Sequence, residues 1–171
     1  MTPRLLSCLI SGLVTCAAAG VAVSAPVRPV APPATMTREE ALTAVAILDD
    51  AYSIILHEVH ETYHHSPKTP VAASVVRNLQ RTMTAKGWPA SRFLAVNAIA
   101  MRPDHLPRDE WERKAVAKLK SGRDQRLETQ EPGVLRVATT MSLRGGCGSC
   151  HWSKDSMGAR AAIAWKVRTR D

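Results

Sequence analysis

The chain has 171 residues, of which 45% are hydrophobic, and its formal net charge is +8 at pH 7. This length accommodates one ordinary domain with a hydrophobic core, and this composition excludes a wholly disordered chain. The positive charge suits an acidic protein partner, although a solvated basic surface is the simpler explanation. No nucleic-acid-binding motif accompanies the charge, so a nucleic-acid partner is not expected.

The N-terminus predicts an export signal. Arg4 is followed by the uncharged run Leu5 to Val23, and small residues then lead to a cleavage pattern at Ala25. We therefore assign residues 1–25 to a signal peptide, which predicts a periplasmic protein with no membrane span after cleavage. If it is not cleaved, the same run would anchor the chain in the membrane.

The remaining chain divides into a linker and a domain. Residues 26–36 contain four prolines and predict a Pro-rich linker, and residues 37–171 form the predicted domain. Cleavage would remove Cys8 and Cys16, so the domain keeps only Cys147 and Cys150. A disulfide framework is therefore not expected in this exported chain.

A long first helix is predicted at the start of the domain. Thr37 and Glu40 have the spacing of a capping box, and apolar residues at helical spacing continue to about His65, before Pro67. The last turns are rich in histidine: His57, His60, His64 and His65. The first three share one helix face, which could present a metal ligand or simply a polar stripe.

A second helix and a first strand come next. The helix is predicted over Val71 to Lys86, ended by Gly87, and its expected buried face consists of Val75, Leu79 and Met83. The alternating stretch Ser91 to Asn97 predicts a strand, and Met101 to Leu106 predicts a loop.

The C-terminal half predicts one more helix and three strands. The helix is expected from Pro107 to Lys120, with Trp111, Ala115 and Leu119 on its inner face. The strands are expected at Asp124–Thr129, Val134–Ser142 and Ala159–Val167. Helices followed by strands with one inserted helix predict an α+β domain on an antiparallel sheet.

The motif Cys147-Gly148-Ser149-Cys150-His151 lies between the last two strands. Two cysteines spaced by two residues and followed by histidine are typical of c-type haem attachment. Each thiol of Cys147 and Cys150 would bond one vinyl group, and His151 would bind the iron as the proximal ligand. The cofactor expected from the motif is therefore one covalent haem c.

Three other interpretations of the cysteine pair are weaker. Half of a zinc site would need two further ligands at motif spacing, and the sequence has no second pair. A thioredoxin-like redox pair would follow a strand in a βαβ unit, which the predicted elements do not contain. A disulfide between Cys147 and Cys150 would close a loop too short to stabilise the fold much.

Several further stretches carry a family resemblance. They are residues 94–101, Asp104-His105-Leu106-Pro107, Glu112 with Ala115, residues 133–136 and the haem motif. Together they resemble the stand-alone c-type haem proteins of the Tll-type, PAS-like haem-sensor family, over about residues 41–168. The resemblance implies a PAS-like antiparallel sheet with an N-terminal helical cap, one covalent haem, and redox or gas sensing.

The resemblance also implies roles for single residues. His60, in Glu58-Val59-His60, matches a histidine of the family's first helix and becomes the expected distal iron ligand. Arg136 matches an arginine that could pair with a haem propionate, and His105 is expected to be structural. Residues 73–76 lack the cysteine that serves as a ligand in other members, which excludes a thiolate ligand. Met101 remains an outside candidate for the ligand.

Two departures from the family pattern concern access to the haem. Gly148 replaces a bulkier residue, and the insertion before the last strand is short, from Trp152 to Gly158. Both would leave the haem more open to water and external ligands.

The sequence therefore predicts a periplasmic c-type haem-binding protein for one-electron transfer or redox or gas sensing. The absence of a signalling domain in the sequence favours a small redox protein that acts on a separate redox or signalling partner, and an acidic protein would suit the positive charge of the chain. The alternative is a peroxidase-like enzyme with an open distal site, in which His57 or His64 serves in acid–base chemistry.

Overall fold

The computed structural model describes residues 35–66, 68, 70–143, 147, 151 and 158–170. The described residues form α-helices α1 (Arg38–His65), α2 (Ala72–Ala85) and α3 (Glu110–Lys120). They also form strands β1 (Ala90–Ala95), β2 (Arg126–Glu131), β3 (Val134–Ser142) and β4 (Arg160–Arg168), with a short 3-10 helix at Pro103–His105. In this part of the chain, no helix is both long enough and apolar enough to cross a bilayer. The predicted signal peptide and most of the predicted linker lie outside the described residues.

The strands form one antiparallel sheet in the order β1-β4-β3-β2. Side chains alternate between the two faces, so β4 presents Ile163, Trp165 and Val167 to one core and Ala162 and Ala164 to the other. Helices α1 and α2 cover the first face, and α3 covers the second. The α+β prediction with an antiparallel sheet is confirmed.

The larger core lies between the sheet and the two N-terminal helices. Tyr52 of α1 stacks on Trp165 of β4 with ring centroids 5.3 Å apart, and both residues are fully buried. Buried aliphatic residues surround this pair: Val45, Val76, Leu135, Val137, Ile163 and Val167. The contact fixes the rotation of α1 on the sheet and so decides which of its residues face inward.

The predicted capping box at the start of α1 is confirmed. Thr37 Oγ1 accepts from the backbone N–H of Glu40 at 3.1 Å, and the Thr37 N–H donates to the Glu40 carboxylate at 2.7 Å. Met36, the last residue of the predicted linker, is buried and hydrogen-bonds through its backbone to Arg168 and Arg170. The domain therefore already includes Met36.

The buried face of α2 differs from the prediction. Its buried residues are Ala72, Val76 and Gln80, whereas Val75, Leu79 and Met83 are only partly buried. The helix packs against both α1 and β1. Its observed buried face is therefore rotated by one residue from the buried face that periodicity alone predicted.

Strand β2 spans Arg126–Glu131 rather than the predicted Asp124–Thr129. Two further differences in element boundaries have a visible cause. Helix α3 begins at Glu110 rather than Pro107, because the Asp109 carboxylate accepts from the backbone N–H of Glu112 at 2.8 Å and caps the helix there. Strand β1 ends at Ala95 because Asn97 uses its side-chain oxygen to bind the backbone N–H of Arg160 at 2.7 Å. Both changes arise from side-chain hydrogen bonds that compete with the regular backbone pattern.

Asp49 of α1 is a carboxylate placed at the edge of the larger core. It accepts a hydrogen bond from the Thr139 hydroxyl at 2.5 Å, and the Trp165 indole N–H donates to the same hydroxyl oxygen at 3.2 Å. Burial raises the pKa of Asp49; the hydrogen bonds of Thr139 and Trp165 oppose this rise, and the charge of Asp50 adds to it. The folded protein therefore binds this proton more tightly than the unfolded chain does.

Asp49→Asn is expected to remove a pH-dependent loss of stability. Because the folded pKa is raised, the wild type loses stability as pH rises from about 3.8 through the folded pKa. The asparagine keeps an acceptor for Thr139 but does not titrate. The free energy of unfolding of the variant, relative to that of the wild type, should therefore increase across this pH window and then stay constant. Urea unfolding at several pH values checks this, and a pH-independent difference would contradict it.

Candidate functional site

The haem motif lies at the end of the sheet where β3 finishes and β4 begins. Helix α1 runs antiparallel to β4, since it starts where Met36 pairs with Thr169 and then passes Thr139 at Asp49. At about 1.5 Å per residue, His60 lies about 16 Å beyond Asp49 along the helix axis, past the end of β3. The histidine-rich end of α1 therefore reaches the same end of the sheet as the motif.

His151 is held in this region by its backbone and by its ring. Its backbone N–H donates to the carbonyl oxygen of Cys147 at 2.8 Å, an i to i+4 hydrogen bond. Burial lowers the pKa of His151, a hydrogen bond between the imidazole and the backbone of Ile99 raises it, and the charge of His60 lowers it. The net shift is downward. A neutral imidazole is favoured, which is the form that binds metal ions.

The hydrogen bond to Ile99 matters for the orientation of the His151 ring. Because this bond raises the pKa, the imidazole N–H is the donor and the Ile99 carbonyl oxygen is the acceptor. A histidine held in this way uses one ring nitrogen in the hydrogen bond and leaves the other ring nitrogen able to bind a metal ion. Metal-ligating histidines commonly bond a carbonyl or carboxylate through the second nitrogen.

His60 is the histidine of α1 that the structure relates directly to His151. It is half-buried, and its charge acts on His151. By contrast, His57 is exposed, and the exposed His65 uses its Nδ1 in a 2.8 Å hydrogen bond with the Glu61 carbonyl oxygen. The side chain of His64 lies outside what the structure describes.

The two predicted thioether cysteines differ in what the structure shows of them. Cys147 is half-buried beside His151, whereas Cys150 lies outside the described residues. The attachment role of both cysteines therefore stays a prediction. Among the described residues, no group of three or more His, Cys, Asp or Glu side chains could hold a metal ion alone.

His105 also lies close to this cluster of histidines. Its ring packs edge-on against Phe93 of β1, with centroids 5.8 Å apart, and its Nε2 is buried without a hydrogen-bond partner among the described residues. Burial lowers the pKa of His105, Asp104 raises it, and the charges of Arg102, Arg77 and His151 lower it. Its charge interaction with His151, together with the hydrogen bond of His151 to Ile99, puts the loop after β1 near His151.

A buried ion pair holds the loop that carries His105. Arg92 of β1 donates to the Glu112 carboxylate of α3 at 2.6 Å, and its side chain is 19% exposed against 6% for Glu112. The same guanidinium donates to the backbone carbonyl oxygens of Asp104 and Leu106. The loop is thus fixed to both β1 and α3.

Arg92→Met is expected to destabilise the fold by roughly 3–5 kcal/mol, because it leaves the Glu112 carboxylate buried without its cation. Arg38→Met is the matched control, since Arg38 makes an ion pair of the same 2.6 Å length with Glu128 but is 57% exposed. The control should cost about 1 kcal/mol or less. Chemical denaturation measures both, and equal losses in the two variants would contradict the burial argument.

The structure also describes two other residues that the sequence offered as candidates. Arg136 of β3 points to the α3 face, where it pairs with Asp109 at 2.7 Å and lies 4.3 Å over the centroid of the Trp111 ring. These contacts stabilise α3 on the sheet, so the candidate site leaves Arg136 out. Met101 is 54% exposed in the loop after β1.

Sequence reasoning placed His60 and His151 in one site but gave His105 only a structural role. The sequence places His105 in a loop that resembles the family pattern, but it does not show which residues the imidazole ring faces. The proximity of His105 to His151 depends on the pairing of β1 with β4, which brings residues distant in sequence to one end of the sheet.

Comparisons with known proteins give one family and one solved structure. Residues 27–167 match the model of the Tll0287-like family. The fold is similar to the crystal structure of "the cyanobacterial heme-protein Tll0287", with a TM-score of 0.58 and 15% identity, covering 77% of this chain and 97% of that one. At this identity the likeness concerns the fold. No significant match was found among curated proteins.

Proposed function

This chain belongs to the Tll0287-like family, and on that premise we propose that it binds one haem c attached to Cys147 and Cys150. The similar solved structure is described as a haem protein, and the sequence motif has the order of residues that covalent attachment requires. His151 is the proposed proximal ligand and His60 the proposed distal ligand.

The described residues fit such a group. Two half-buried imidazoles, His60 and His151, lie at the motif, and Ile99 orients the second of them. Partly exposed Ile99 and exposed Met101 offer apolar surface to a porphyrin at the same end of the sheet. The buried Nε2 of His105 is a polar atom without a hydrogen-bond partner among the described residues. When bound, haem would supply one-electron chemistry at its iron.

One-electron transfer is the role that this arrangement supports best. The observation that carries the proposal is that His60 and His151 are both half-buried and their charges interact, because two imidazole ligands would keep iron six-coordinate and low-spin in both oxidation states. The protein's own contribution is to hold both rings in place, so that little moves on reduction. Redox or gas sensing is the second candidate, and it would require an external ligand to displace His60.

A peroxidase-like activity has less support from these contacts. It would need an open distal position with a histidine or arginine near it. His60, whose charge acts on His151, is itself the proposed occupant of that position, and His57 is exposed on α1. We further propose that the chain works in the periplasm, where its net charge, +7 once Arg4 is removed with the signal peptide, would attract an acidic redox partner.

Optical spectra of the exported protein test the proposed role. We expect low-spin haem in both oxidation states and a ferrous spectrum that carbon monoxide does not change at micromolar concentration. A high-spin ferrous form that binds carbon monoxide readily would contradict the electron-transfer role and favour sensing.

A further inference from the structure

His105 is a half-buried titratable residue with a buried Nε2 atom, and the proposed function leaves it without a role. Its ring is fixed against Phe93, and Nε2 is enclosed by protein without a hydrogen-bond partner among the described residues. Buried polar atoms in folded proteins nearly always have a partner. An enclosed nitrogen without one therefore points to a group that binds there in the functional protein.

The surroundings of His105 favour an anion as that group. The positive charges of Arg102 and of Arg77 on α2 act on the ring, and so does the carboxylate of Asp104, whose effect is larger than either. Arg102 is neutralised by Asp104 at 3.0 Å, whereas Arg77 donates only to the uncharged Ser74 hydroxyl at 3.3 Å among the contacts the structure describes. An uncompensated guanidinium next to an unpartnered imidazole suits a carboxylate.

The position of His105 relates this anion to the proposed cofactor. His105 is close enough to His151 for their charges to interact, and Arg92 fixes its loop through the carbonyl oxygens on both sides of it. Haem carries two carboxylates at one edge of its ring. With His151 and His60 as the proposed iron ligands, the iron would have no position left for His105, which could meet only the periphery of the ring.

We propose that Nε2 of His105 donates a hydrogen bond to a haem propionate, with Arg77 as the neighbouring positive charge. This proposal rests on the proposed function, since it requires haem at the motif. It replaces the role expected for Arg136, which lies on the other face of the sheet in an ion pair with Asp109. His105 would act as a positioning residue that sets the tilt of the ring and the charge near the iron.

Resonance Raman spectroscopy of the haem-loaded protein tests this proposal, because propionate bending modes shift when a hydrogen bond to the propionate is lost. His105→Phe keeps a flat ring against Phe93 and removes the donor, and His105→Leu removes the donor at similar volume. Both should shift the propionate mode and lower the reduction potential, with the low-spin optical spectrum unchanged. His105→Gln retains a donor and should restore the mode in part. His57→Leu replaces an exposed histidine and should change nothing.

The outcomes separate this proposal from the proposed function. A haem-loaded His105→Phe or His105→Leu protein with an unshifted propionate mode would overturn the proposal alone. A change to high-spin iron in either variant would also overturn it, because His105 would then be an iron ligand. A wild-type chain without haem would overturn both the proposal and the function on which it rests.

Discussion

Replacing Cys147 and Cys150 together by alanine is expected to abolish covalent haem in the exported protein. Each thiol is the only group at its position able to bond a vinyl carbon, and the sequence has no other cysteine outside the predicted signal peptide. After acid–acetone extraction the variant should keep essentially no haem, whereas the wild type should keep all of it. The measurement is haem absorbance per protein before and after extraction, in cells that express haem-attachment machinery.

Ser149→Ala is the matched control for the cysteine variant. It changes a residue between the two cysteines without removing a thiol, and it should keep the wild-type amount of acid-stable haem. Acid-stable haem in the double cysteine variant would show that attachment does not use this motif.

Replacing His60 by alanine is expected to convert low-spin haem to a high-spin form that binds carbon monoxide. The apparent affinity for an external ligand is proportional to the fraction of iron whose sixth position is open. If His60 occupies that position in more than about nine molecules of ten, its removal should raise the carbon monoxide affinity at least about tenfold. Titration of the ferrous protein with carbon monoxide gives this ratio.

His57→Ala is the control for the His60 variant, since His57 lies one turn earlier on α1 and is exposed. It should retain the low-spin spectrum and the wild-type response to carbon monoxide. If His57→Ala lost the low-spin spectrum and His60→Ala kept it, the assignment of His60 as the distal ligand would be wrong.

Local signals in the sequence predicted the secondary structure well. The spacing of Thr37 and Glu40 specifies a capping box because both partners lie within one helical turn, and the structure contains it. Strand β3 has the predicted limits Val134–Ser142 because its turn is local as well, with Gly133 at a φ of +69°. Such features need no information from the rest of the fold.

Contacts between distant segments were harder to predict. The buried face of α2 depends on its packing against both α1 and β1, and periodicity cannot distinguish Val75 from Val76 as the inward residue. Arg136 has a partner, Asp109, that only the packing of α3 on the sheet brings near. The charges of His105 and His151 likewise interact because β1 lies next to β4 in the sheet.

The pyridine haemochrome spectrum of the exported wild-type protein tests the central claim most directly. Its α-band distinguishes haem whose two vinyl groups are bonded to cysteine from haem with free vinyl groups. We predict a c-type α-band with one haem per chain, retained after acid–acetone extraction. A protein without haem, or one with the band of unattached haem, would contradict the assignment of Cys147, Cys150 and His151 as a haem attachment site.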